Sequence, residues 1–217
     1  MIRLIILGDN LASLSAAHHA LDLETDMDIQ VITDRAEIGL VDETPGLLSS
    51  WPPCPSHWIS EMGSQTPEPT STAVRGSWLL KAMGIQLSKR GCTFHLRTRV
   101  TNVSDESVDF VGAGPLGEAT LTFDYILDFG EDTSSEPQWF GAVCRSDDAP
   151  ETPLKGSRSD GTTEAWDRHQ HEQNGKWLQT MVWNGRNPES FVDDQVRIGK
   201  ERAENVIETI IQRTSSQ

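Results

Sequence analysis

MIRLIILGDNLASLSAAHHALDLETDMDIQVITDRAEIGLVDETP, residues 1–45, decides how the rest of the chain is read. It opens on an apolar run, Ile2–Leu7, that stops sharply at Gly8. An alanine- and leucine-rich stretch, Leu11–Leu23, follows, and a second apolar run, Ile29–Thr33, closes on Asp34. A short buried strand, a helix and a second strand within about thirty residues make a βαβ unit. An acidic residue just after the second strand is where such a unit holds the ribose of a dinucleotide, which makes Asp34 a candidate.

The glycine fingerprint of a Rossmann-like unit, G-x-G-x-x-G, falls on Gly8, Asn10 and Ser13. Its first glycine makes the tight turn and is present. Its second lets backbone approach a pyrophosphate, and here Asn10 brings a side chain to that place. Its third allows close helix–strand packing, for which Ser13 is small enough. Asp9 adds a charge. A phosphate charge about 5 Å from a carboxylate costs about 3 kcal/mol at an effective dielectric near 20. Asp9 or Asn10 could instead cap the helix and take up amides that would otherwise hold phosphate. The residues alone leave cap and phosphate loop both open.

Beyond Pro45 the prolines and serines of residues 46–72 forbid regular structure over most of that length, including Trp51, Cys54, His57 and Trp58. Packing of the tryptophans is the expectation there, rather than chemistry by Cys54, which has no activating group beside it. A helix is expected within Arg75–Gly91, with Lys89 and Arg90 in its last turn and Gly91 as its stop. Short strands at Cys92–Leu96, Thr98–Val103, Ser107–Val111 and Ala119–Phe123, with a turn at Gly112–Pro115, read as an antiparallel meander. Tyr125–Phe129 repeats the form of the first strand and ends at Gly130. Arg145–Glu164 is polar and broken by proline and glycine, the composition of a linker or mobile loop. Trp177–Trp183 reads as a strand, and Asp194–Arg213 as an amphipathic helix with Val196, Ala203, Val206, Ile207, Ile210 and Ile211 on one face.

Gly8-Asp9-Asn10-Leu11-Ala12-Ser13, then Asp34, then Ile38-Gly39-Leu40-Val41-Asp42-Glu43-Thr44-Pro45 resembles the opening of FAD-dependent monooxygenase-type flavoproteins, and within them the flavin-dependent tryptophan halogenases. The halogenase loop reads I-G-V-G-E-x-T. Here Gly39 matches its first glycine, Val41 replaces its second, and Asp42 stands near its glutamate. The chain has no lysine before Lys81, where that family places a catalytic one, and no W-x-W-x-I-P motif. The resemblance therefore implies the fold and its cofactor rather than halogenation. It continues through Arg97-Thr98-Arg99-Val100, where family backbone faces the adenine, and through Ile126-Leu127-Asp128-Phe129-Gly130. It ends in the segment Val192, Asp193, Gln195 and Gly199–Ala203, although the G-D pair expected before that helix is missing from Trp183-Asn184-Gly185-Arg186.

The resulting expectation is an α/β, Rossmann-like FAD/NAD(P)-binding fold with a parallel sheet, an antiparallel β-meander and no full substrate domain. Residues 1–144 would form the Rossmann-like dinucleotide-binding core with its β-meander, 145–164 a polar linker or mobile loop, and 165–217 the closing strand and helix of the same domain. The candidate cofactor residues are Gly8, Asn10, Ser13, Asp34, Gly39, Val100 and Gly130, for FAD. No catalytic residue is assigned.

The net charge of −15 over 217 residues argues against nucleic acid or an anionic membrane as partner. Ile2–Leu7 is too short for a signal peptide, and no run reaches membrane-spanning length, so the cytoplasm is the expected location. Three widely separated cysteines do not suggest a disulfide framework. His169 and His171, with Asp167 and Glu172 nearby, have an i, i+2 spacing that divides them between faces, which speaks for a solvated surface over a metal site. Seven tryptophans against one tyrosine are read as core packing, or as a surface covered in a homodimer or by a protein partner. In function the chain is expected to be an FAD-linked oxidoreductase of unknown substrate that binds a small-molecule dinucleotide. The alternative is a non-catalytic binding module, or one subunit of an assembly, that keeps the fold.

Overall fold

The computed structural model describes residues 1–24, 26–40, 44–112, 117–130, 136–171 and 176–215. Val41, Asp42 and Glu43 of the halogenase-like loop lie outside the described residues, as do most of the Gly112–Pro115 turn and Glu172. The chain begins with β1 (Ile2–Leu7), α1 (Leu11–Leu23) and β2 (Met27–Ile32), then runs irregularly to α2 (Gly76–Lys89) and β3 (Thr93–His95). A meander of β4 (Thr98–Val103), β5 (Ser107–Gly112) and β6 (Glu118–Thr122) leads into β7 (Tyr125–Asp128). Then come β8 (Gln138–Arg145), β9 (Leu154–Ser157), β10 (Thr162–Asp167), β11 (Trp177–Asn184) and α3 (Phe191–Ser215).

The first sheet is parallel, in the order β3-β2-β1-β7. Both of its faces are covered, which is why its central strands are apolar without alternation. On one face, Leu4, Ile6, Ile29 and Val31 meet the alanine-rich side of α1, together with α2 and α3. On the other, Ile5 and Ile32 meet Val108 and Phe110 of the meander. Helix α3 lies along α1 so closely that a Cβ on Gly199 would sit 2.3 Å from the Ala12 carbonyl oxygen. Only glycine lets the two backbones come that near. This is the Rossmann-like FAD/NAD(P)-binding architecture, with its parallel sheet and meander.

A second, antiparallel sheet has the order β11-β8-β10-β9. The segment 145–164, expected as a polar linker or mobile loop, contains all of β9 and the start of β10. Its polarity misleads because its partners are remote: Ser157 O accepts the amides of Thr72 and Ala73 at 3.0 and 3.1 Å. Glu164, fully buried, accepts hydrogen bonds from Gly46 N at 2.7 Å and Trp166 Nε1 at 2.6 Å and pairs with Arg158. That carboxylate ties the irregular 46–48 segment to the sheet, and an unpaired carboxylate there would carry a large desolvation penalty. Trp166 and Trp58 are fully buried, and Trp139, Trp177 and Trp183 are half-buried. Trp183 meets Trp166 and Phe191 edge-on, so the second-half aromatics are largely taken up in internal packing.

Candidate functional site

A parallel sheet leaves a crevice at the carboxyl ends of its strands where the strand order reverses, and ligands of such folds bind there. Here the reversal lies between β2 and β7, the two neighbours of β1. The crevice is therefore bounded by the β1–α1 turn, the residues after β7 and the residues after β2. Gly8 carries the turn with φ +102°, a conformation that side chains rarely adopt. A Cβ there would also come within 3.3 Å of the Phe129 carbonyl oxygen.

Asn10 is the N-cap of α1. Its Oδ1 accepts from Ser13 N at 2.9 Å, and its Nδ2 donates to Phe129 O at 3.0 Å, so one side chain stitches the β1 turn to the β7 turn. Ser13 Oγ donates back to Asn10 O at 2.7 Å. The amides of Leu11 and Ala12 have no hydrogen-bond partner among the described residues. A helix start leaves such donors open by geometry, and its partial positive charge favours an anion. Both readings left open by the residues are thus present at once: a cap that consumes one amide, beside two amides that remain available.

Asp9 does not face these amides alone. It is buried, and its Oδ1 lies 3.5 Å from Arg35 Nε. Burial pushes its pKa above the ordinary carboxylate value, against the opposing pull of Arg35 and a hydrogen bond from Thr33. Asp34 is exposed at the end of β2, one residue from Arg35. Thr98 N donates to Thr33 O at 2.9 Å and Arg97 N to Arg35 O at 2.8 Å, which brings the start of β4, and with it Val100, to the same corner. Val100 itself is half-buried against the meander core. Gly130 is exposed, with its amide donating to Asp128 Oδ1 at 2.8 Å.

Gly8, Asn10, Ser13 and Gly130 are therefore joined around Phe129, with Asp34 and Val100 at the adjoining strand end. Gly39 sits against α2. A Cβ on it would lie 2.3 Å from Ser77 O, so it serves the packing of its loop on the first turn of α2.

Two arginines were not singled out from the sequence. Arg35 reaches the turn through Asp9. Arg202, on α3, donates to Asp128 O and stacks 4.6 Å over the Phe129 ring. Both bring positive charge to the crevice of a strongly acidic chain. The signal for Arg35 was its position after Asp34. Arg202 had none, because it depends on how α3 crosses the end of β7.

The remaining candidates lie elsewhere. Cys54 and Cys92 are buried thiols with pKa pushed up to about 12 by burial, which suppresses the thiolate. His169 Nδ1 contacts Asp167 at 3.1 Å, whereas His171 Nε2 lies 3.0 Å from Phe140 O.

No family model matches the chain, and no curated protein matches it. Solved structures do. CabE, an aromatic hydroxylase from angucycline biosynthesis, superposes with a TM-score of 0.56 at 16% identity over 95% of this chain and 63% of that one. BexE, studied for oxidation during a biosynthesis, gives 0.58 at 13% identity over 94% and 60%. A flavoprotein/dehydrogenase from Cytophaga hutchinsonii gives 0.66 at 10% identity over 97% and 79%. The chain thus spans under two thirds of the length of the first two. These likenesses show that the fold is shared with the three, and none of the three is described as a halogenase.

Proposed function

We propose that this chain is an FAD-linked oxidoreductase-type protein that binds the dinucleotide at the carboxyl end of its parallel sheet. The carrying observation is the β1–α1 turn. Gly8 holds a left-handed conformation and the amides of Leu11 and Ala12 stand open beside it, at the topological switch point. In this reading the Gly8 turn and those amides hold the diphosphate, and Ser13 keeps the helix start in place through Asn10. Asp34 takes the ribose hydroxyls, and the backbone near Val100 faces the adenine. Arg35 and Arg202 offset the phosphate charge, with Arg35 also screening Asp9. A bound flavin supplies the electron transfer, and the chain supplies position and electrostatics.

Absorption spectroscopy and titration calorimetry with FAD test the reading. One equivalent of bound flavin is the expected result, with affinity reduced at least tenfold in Arg202→Ala. A colourless protein that gives no heat with FAD overturns it and leaves the fold without its site.

A further inference from the structure

The two edges of the second sheet are treated differently. The β9 edge is covered by the 72–73 segment, whose amides donate to Ser157 O. The β11 edge pairs with β8 alone among the described residues. An open edge invites pairing with another chain, and proteins usually blunt it with charge, proline or shortness. β11 reads WLQTMVWN, eight residues without a charge, proline or glycine, in a chain that is 24% charged. Its register shift falls between Trp177 and Gln179, leaving the rest of the strand regular. Leu178 and Val182 are 62% and 51% exposed on it.

We infer that β11 is a homodimerisation edge, pairing antiparallel with β11 of a second copy. The occupant follows from charge and spacing. A chain of net charge −15 would draw a basic partner to its charged surfaces, whereas this edge is neutral and offers such a partner nothing. A second copy needs only what residues 178–182 have, an edge with no second strand partner among the described residues and exposed apolar side chains. Leu178, Thr180 and Val182 alternate onto one face. A two-fold axis through Thr180 sets each Leu178 opposite Val182 of the partner subunit and Thr180 opposite its own copy, so the strand is complementary to itself. The inference is independent of the cofactor reading.

Sedimentation velocity over micromolar to submillimolar concentrations tests it at low and high salt. Wild type is expected to shift from monomer to dimer with concentration, and to do so more readily in salt, because salt screens repulsion between two acidic chains. Val182→Lys is expected to stay monomeric with an unchanged circular dichroism spectrum. Thr180→Cys, across the axis from itself, is expected to form a disulfide-linked dimer under mild oxidation, the native thiols being buried. A monomer at every concentration and salt overturns the inference. So does a dimer that persists in Val182→Lys while Thr180→Cys fails to cross-link, or an association that weakens with salt, which would indicate a basic partner surface instead.

Discussion

The two ends of α1 are built on opposite plans. At its far end, Asp22 accepts from Trp58 Nε1 at 2.6 Å, from Arg90 Nη2 at 2.6 Å and from His57 Nε2 at 3.0 Å. His18, one turn earlier, is fully buried and stacks on Trp58. Its ring nitrogens lie 3.1 Å from Met83 O and 3.0 Å from Arg90 Nη1, so the neutral ring donates through Nε2 and accepts through Nδ1. At the crevice end, two amides are open and Asp9 has one guanidinium at 3.5 Å. Burial works to raise the pKa of both carboxylates. Hydrogen bonds from His57, Trp58 and Arg90 override it at Asp22 and hold that pKa low, whereas at Asp9 burial wins. The lesson is a division along one helix: the saturated end anchors it, and the crevice end keeps two amides without a partner among the described residues.

Breaking the anchor should cost most. Trp58→Ala removes a fully buried indole, its stack on His18 and its bond to Asp22, and is expected to lose about 3–5 kcal/mol in denaturant unfolding. An effect below 1 kcal/mol would mean the far end anchors nothing.

Acid attacks the same end. Burial lowers the His18 pKa from 6.5 to about 3, so the unfolded chain binds the proton first and stability drains away as pH falls below 6.5. The slope approaches about 1.4 kcal/mol per pH unit, and it should be absent from His18→Gln, which keeps a donor for Met83. Parallel slopes in the two proteins would show that folding does not lower the His18 pKa.

Asp22→Asn is expected to cost about 2 kcal/mol at pH 7, the scale of hydrogen bonds to a charged group. Because its folded pKa is depressed, Asp22 contributes stability above the ordinary 3.8 and loses it as pH falls through the folded value. The cost should therefore fade in strong acid.

Gly8→Ala sharpens the other side of the comparison. Forcing a Cβ onto φ +102° against Phe129 O should cost about 1–3 kcal/mol and weaken FAD binding, both measurable by unfolding and calorimetry. Unchanged affinity would place the diphosphate elsewhere.

The smallest effect is expected at Asp9. A carboxylate whose folded pKa is raised is a liability above that pKa, and the liability vanishes below the unfolded value of 3.8. Asp9→Asn should thus be neutral or slightly stabilising at pH 7, by less than about 1 kcal/mol, with the gain shrinking in acid. A loss of stability at pH 7 would make the Arg35 contact a true anchor, and the two ends alike.

The first sheet was legible at β1, β2 and β7 because its information there is local, whereas β3, read as the first strand of the meander, pairs in parallel with β2. Ile2–Leu7 and Leu11–Leu23 have the same bounds in sequence and structure, since glycine and the apolar runs mark them directly. In the second sheet only β11 was legible, expected at Trp177–Trp183 and found at Trp177–Asn184. β9 and β10 hold polar residues such as Thr163 and Glu164 in buried places, stabilised by Gly46, Thr72 and Ala73 far earlier in the chain. The turn at Gly8 and the acid at Asp34 could be read as motifs. The screening of Asp9 by Arg35, and the arrival of Arg202 over Phe129, exist only once separate loops have met.

The contact at Gly199 has a consequence for how the molecule is assembled in time. α1 precedes, and α3 follows, every described strand from β2 to β11, yet the two lie backbone to backbone, and Arg202 closes the end of β7 from α3. During synthesis the part of α1 that meets Gly199, around Ala12, Ser15 and Ala16, stays uncovered until residues 191–203 have left the ribosome. The crevice is therefore complete only once α3 has emerged, and a ligand added during translation meets a finished crevice only after that point.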